Sequence, residues 1–94
     1  MTVSPTELDD FTRAFSSRVD SGESLTAVLG TLATTATNPT LSQAAADLVN
    51  DLRGGATLSQ GMAKHPSVFD DEYRTVIRRG EATGRLDDAL RILA

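Results

Sequence analysis

One histidine, thirteen carboxylates and a scatter of hydroxyls are the side chains here that could do chemistry. General acid–base or nucleophilic catalysis needs an imidazole beside an orienting carboxylate, or a nucleophile beside a base, within hydrogen-bond reach. His65 precedes Pro66 in a turn, where an exposed loop residue is expected. The serines and threonines fall at helix starts and on polar faces, and neither a Gly-x-Ser-x-Gly elbow nor a Ser-x-x-Lys pair occurs. Gly54-Gly55 lacks the lysine and the preceding strand of a phosphate-binding loop. Asp9-Asp10 and Asp70-Asp71-Glu72 offer hard oxygen ligands, but adjacent residues on a helix point around its axis and cannot close on one ion alone. Negative charge at a helix start, favoured by the macrodipole, is the expected role of the second group. The chain is therefore expected to be no enzyme, with no catalytic residue, no cofactor site and no metal site.

One segment breaks a local rule. In Arg78-Arg79-Gly80-Glu81-Ala82-Thr83-Gly84-Arg85-Leu86 a glycine stands in line with Tyr73, Val76 and Ile77. A glycine inside a helix costs about 1 kcal/mol relative to alanine, so Gly80 reads as a packing notch that a neighbouring element enters closely. Glu81 has Arg78 three residues before it and Arg85 four after. One reading is pairing along the helix surface, worth only tenths of a kcal/mol. The other is a carboxylate at the core edge that locks the following turn or meets a partner's arginine. The dense charge of Arg78, Arg79, Glu81 and Arg85 beside a notch suggests that a partner surface lies there.

The elements that must position these residues read as helices. Ser4-Pro5-Thr6-Glu7 is a capping box with proline at the first helical position, and Leu8, Phe11, Phe15 and Val19 form a stripe ending before Gly22. From Ser24 a second stripe runs through Leu25, Val28, Leu29, Leu32, Ala33 and Ala36 to Asn38-Pro39, because a residue before proline is pushed out of the helical region. Thr40-Leu41-Ser42-Gln43 reads as another capping box, opening a helix over Leu41, Ala44, Ala45, Leu48, Val49 and Leu52 until Gly54. Thr57-Leu58-Ser59-Gln60 opens a helix of about two turns that stops near His65-Pro66. A fifth helix follows Asp70 and is ended by Gly84. Leu86, Ala89, Leu90 and Leu93 belong to a sixth that is still periodic at Ala94, the pattern expected of a piece of a longer chain.

An internal echo links these corners. Gly22-x-Ser24-Leu25 and Gly55-x-Thr57-Leu58 share glycine, spacer, hydroxyl and leucine, and Gly84-Arg85-Leu86 repeats them with one residue fewer. Each glycine can take the left-handed conformation that ends one helix while the hydroxyl caps the next. The fold class is therefore all-α: a compact six-helix bundle with short glycine-marked turns, forming one domain over residues 1–94. A net charge of −4 and only four aromatic residues argue against nucleic acid as a ligand. No cysteine supports a disulfide, and no stretch approaches the length of an apolar span.

Leu8-Asp9-Asp10-Phe11, the two glycine corners, His65-Pro66-Ser67-Val68-Phe69 and above all Gly80-Glu81-x-x-Gly84-x-Leu86-x-x-Ala89-Leu90 resemble the F-type inner-membrane platform proteins of type II secretion and type IV pilus machines. The match runs through nearly the whole chain in order. It implies a six-helix domain at the cytoplasmic face of the bacterial inner membrane, ahead of membrane segments outside this chain. The domain would dock the secretion or pilus-assembly ATPase and other platform subunits, with a homodimer as a further partner. Carried over by position, Gly80, Glu81, Gly84 and Leu86 are the signature, and Phe11 and Phe69 are core anchors. Asp70 stands where the family often has proline, and Gly61, where alanine is common, is expected to loosen the fourth helix. The alternative outside this family is a free-standing helical adaptor with a protein partner.

Overall fold

Ser4 sets the first helix. In the computed structural model, which describes residues 2–94, its Oγ accepts the Glu7 N–H at 3.1 Å and the Glu7 carboxylate accepts the Ser4 N–H at 2.9 Å. Two donors that a helix start leaves unpaired are thereby satisfied, and α1 runs Pro5–Asp20. Ser24 caps α2, Leu25–Thr35, and the Thr57-to-Gln60 box caps α4, Leu58–Met62, as the spacing predicts. Asp70 caps α5, Asp71–Thr83, by accepting the Tyr73 N–H at 2.9 Å. The last helix, α6, spans Leu86–Leu93 and starts on Arg85 with no side-chain cap, since the third corner lacks the hydroxyl of the other two.

Two boundaries differ from the sequence reading. The third helix, α3, is Pro39–Arg53, and its cap is Asn38 rather than Thr40. Proline is pre-organised for the first helical position, so the residue ahead of it takes the cap. Asn38 Oδ1 accepts from Thr40 N at 2.9 Å and Leu41 N at 3.3 Å, leaving Thr40 inside the first turn. Helix α4 is five residues long, shorter than two turns. Beyond Met62 the bonds become three-residue turns, Lys64 N to Gly61 O and His65 N to Met62 O, before His65 O accepts from both Val68 and Phe69.

Gly22, Gly55 and Gly84 all have positive φ. At each, the next residue's N–H reaches five residues back, Glu23 to Arg18, Ala56 to Asp51 and Arg85 to Gly80. This is the Schellman closure, which a side chain at the left-handed position would strain.

The helices form a ring in which each packs on its successor and α6 returns to α1. Arg91 of α6 closes that seam with bonds of 3.1 and 3.3 Å to the Asp20 carboxylate at the end of α1. Phe15, Leu29, Leu48, Phe69, Ile77 and Leu90 are fully buried inside. Phe15, Phe11, Phe69 and Tyr73 form a chain of rings through the core, the first pair T-shaped and the next two tilted, with centroids 6.1, 6.3 and 5.2 Å apart in turn, so Phe11 and Phe69 are the anchors expected. Thr12 Oγ1 donates to the Leu8 carbonyl at 2.8 Å, leaving the Tyr73 phenol as donor in their 2.9 Å bond. Burial pushes the phenol up to about 12. Among the described residues there is no strand and no helix long and apolar enough to cross a membrane.

Candidate protein-docking surface

Gly80 is the notch its sequence setting predicts. A Cβ there would lie 2.7 Å from Ala89 Cβ and 3.2 Å from both the Arg85 carbonyl and Leu86 Cα. The missing side chain lets α6 fold back against α5, and Gly84 with φ +70° makes the reversal. Leu86 then tucks partly into the core while Leu90 fills it. Gly80, Gly84 and Leu86 thus act on one feature, the α5–α6 hairpin. Gly61 is a second close approach rather than a loose point: a Cβ there would meet Leu48 Cδ2 at 2.7 Å. It lets the short α4 lie against α3.

Glu81 pairs with neither Arg78 nor Arg85. Its carboxylate reaches across to α4, accepting the Ser59 N–H at 3.0 Å and the Ser59 hydroxyl at 2.5 Å. Ser59 stands at the second position of α4, where the backbone N–H has no partner within the helix. A carboxylate facing two donors at a helix start is held by charge-assisted bonds and by the positive end of the peptide dipoles. Glu81 does stand at the core edge, but it holds the start of α4, 22 residues before it in the chain, and not the turn that follows it. Arg85 turns instead to Asp88, at 2.5 Å.

The structure separates the arginine cluster into two grooves. Arg74, Arg78 and Ala82 repeat on one side of α5 and face α4 across the Ser59–Glu81 clamp. Val76, Arg79 and Thr83 repeat on the other side and face Ala89 and Ile92 of α6. Arg74 is occupied, paired with Asp71 and donating to the Phe69 carbonyl at 3.1 Å. Among the described residues no carboxylate lies within ion-pair distance of Arg78 or Arg79, both exposed, nor does any cation reach Glu72. Ile92, 74% exposed, is the one large hydrophobic side chain on the surface of the described residues. Free cations flanking exposed carbon make a surface suited to another protein.

Sequence reasoning passed over three participants. Ser59 looked only like part of a capping box, Glu72 only like helix-start charge, and Ile92 fell outside the α6 stripe. The last could have been found, since Ile92 is apolar on the polar side of a short amphipathic helix. His65, expected to be exposed, has a side chain only 20% exposed, with Nε2 3.5 Å from Asp47 Oδ2 and no hydrogen-bond partner. The turns after α4 carry it back against α3, which its neighbours in sequence do not indicate. Among the described residues no group of three His, Cys, Asp or Glu side chains could hold a metal.

Comparison with known proteins gives this surface a context. The chain is similar to a type IV pilus assembly protein PilC of Myxococcus xanthus, 33% identical over 89% of this chain and 20% of that protein. It is similar to type II secretion system protein F of Vibrio cholerae, 30% identical over 98% of this chain and 23% of the relative. Protein F of Xanthomonas campestris is likewise 30% identical, over 93% of this chain and 22% of its own length. The chain thus spans about a fifth of the length of these curated relatives. The family model for type II secretion system (T2SS) protein F matches residues 11–94, from Phe11 through the Gly80–Leu86 hairpin to the last residue. By that match and these relatives, the chain belongs to the type II secretion system protein F family.

Proposed function

We propose that this chain is a non-catalytic docking domain of an inner-membrane platform protein, at the cytoplasmic face, serving type II secretion or type IV pilus assembly. Its partners are the system's ATPase and sibling platform subunits, and the α4–α5–α6 surface is where they bind. The observation that carries the reading is the pair of unpaired arginines on α5 in a chain of net charge −4. Arg74, the third arginine of α5, is paired with Asp71, whereas Arg78 and Arg79 stand uncompensated among the described residues on either side of the helix, Arg79 sharing its groove with the exposed Ile92. An acidic, apolar patch is the partner such a face selects. Arg78→Ala with Arg79→Ala should weaken binding of the cognate ATPase in a pull-down and by calorimetry, with the circular dichroism spectrum unchanged. Wild-type affinity in the folded double variant would refute this surface as the docking site.

A second copy of the chain is a further partner for the α6 side of the same helix. Glu72 and Arg79 lie seven residues, or about 10 Å, apart on one face of α5, with Val76 between them. Two α5 helices packed antiparallel about a two-fold axis near Val76 would bring each Glu72 to the other copy's Arg79, the self-complementarity an isologous interface requires. Because the chain has no cysteine, Val76→Cys should form a disulfide-linked dimer on mild oxidation, whereas cysteine at Arg53, on another helix, should not.

A further inference from the structure

Away from that surface, α1, the end of α2 and the start of α3 enclose a groove of about 190 Å³. Its floor is carbon from Phe11, Ala14, Leu32 and Leu41, and Glu7 and Asp10 stand on its rim one turn apart on α1. Among the described residues the negative charge there has no firm counter-ion. The partners of Glu7 are neutral: the Ser4 N–H, and the Asn38 amide at 3.1 Å from each carboxylate oxygen. Those bonds hold the Glu7 carboxyl below its usual range, so it is ionised at neutral pH. Among the described residues the one cation paired with Asp10 is Arg13 at 3.8 Å, with both side chains about two-thirds exposed and the pair easily exchanged.

A carbon-lined slot with two carboxylates on its rim fits a long alkyl stem that ends in a cation. Anionic lipid and nucleic acid are repelled by the same field. We propose that this groove receives an arginine or lysine side chain from a protein partner, its stem along Phe11 and Leu41 and its charged head between Glu7 and Asp10. The site is separate from the α4–α6 surface, so either can fail without the other.

The test is an amide-resolved NMR titration of the 94-residue chain with N-acetyl-arginine methylamide. The matched control is N-acetyl-citrulline methylamide, which keeps the shape and lacks the charge. Saturable shifts at Phe11, Ala14 and the Ala36–Leu41 segment are expected with the arginine probe and not with the citrulline one. Asp10→Asn, an exposed position outside the capping network, should lower the affinity about tenfold. Equal shifts from citrulline would reduce the groove to an apolar crevice and overturn the proposal. So would an unchanged affinity in Asp10→Asn, or the absence of any saturable response. Putrescine provides the last arm: tighter binding of the free diamine than of the arginine probe would show a polyamine site instead of a protein-docking one.

Discussion

Gly30 and Gly80 both lie inside helices, yet replacing each with alanine should move stability in opposite directions. Both changes remove the same backbone entropy, a gain of about 0.5–1 kcal/mol when the site is free. At Gly30 a Cβ meets nothing within 4 Å, so the full gain should appear. At Gly80 it lands 2.7 Å from Ala89 Cβ, with the Arg85 carbonyl and Leu86 Cα at 3.2 Å. None of these atoms is the end of a flexible side chain, so relief requires α6 to move away from α5, loosening Leu90 in the core. Overpacking of this kind costs about 1–3 kcal/mol. Three rigid contacts place Gly80 in the upper part of that range, and subtracting the helix gain leaves a net loss of about 1–2 kcal/mol. In a domain of this size 1 kcal/mol corresponds to about 4–8 °C in Tm. Calorimetry should therefore show Gly30→Ala a few degrees above wild type and Gly80→Ala about 5–15 °C below it. Ala89→Gly in the Gly80→Ala background removes the nearest clash, so a double-mutant cycle should show favourable coupling. A Gly80→Ala protein as stable as Gly30→Ala would refute the close-packed hairpin.

Glu81→Ala leaves the Ser59 N–H and hydroxyl without their acceptor and should cost about 1–3 kcal/mol in a urea titration, while Arg85→Ala, which removes only an exposed pair, should cost far less. Tyr73→Phe keeps the Thr12 bond to Leu8 and should cost about 1 kcal/mol; Thr12→Val strands a buried phenol and should cost more, a difference readable from their urea midpoints. The unfolded phenol ionises near 10 and the folded one at about 12, so the unfolded state binds fewer protons between those values and stability should fall as pH rises through that window. Tyr73→Phe should flatten that alkaline slope. The Glu7 carboxyl is lowered chiefly by the Ser4 N–H and that of Asp20 chiefly by the Arg91 hydrogen bond. The unfolded state therefore binds more protons as pH drops below about 4.5, and stability should fall with it; Glu7→Gln with Asp20→Asn should make the acid limb shallower in a pH series of thermal melts.

Local chemistry was legible from the residues themselves. Ser4, Ser24, Thr57 and the three corner glycines each act within a few positions, so type and spacing suffice to place them. The stripe through Phe11 and Phe15 and the tight setting of Gly80 could be read the same way. What misled was competition or distance. Asn38 and Thr40 both make good caps, and Pro39 decides between them through its fixed φ. The close approach of Gly61 to Leu48 is a tertiary matter that the neighbours of Gly61 in sequence do not announce. Glu81 had two arginines within reach in sequence, Arg78 on its own helix and Arg85 just past the reversal at Gly84, yet Ser59, 22 residues away, offers two donors at a helix start that an exposed arginine cannot match. His65 shows the same limit, since its neighbour Asp47 comes from α3.

The ring order of the helices makes the covalent chain partly redundant at its corners. A cut at Gly54-Gly55 would leave α1–α3 and α4–α6 still meeting along two separate seams, α3 with α4 and α1 with α6. The peptide link there chiefly sets the effective concentration of one half for the other. Such a domain lends itself to fragment complementation: two three-helix halves, each fused to part of a reporter, would recover a signal only when both seams close.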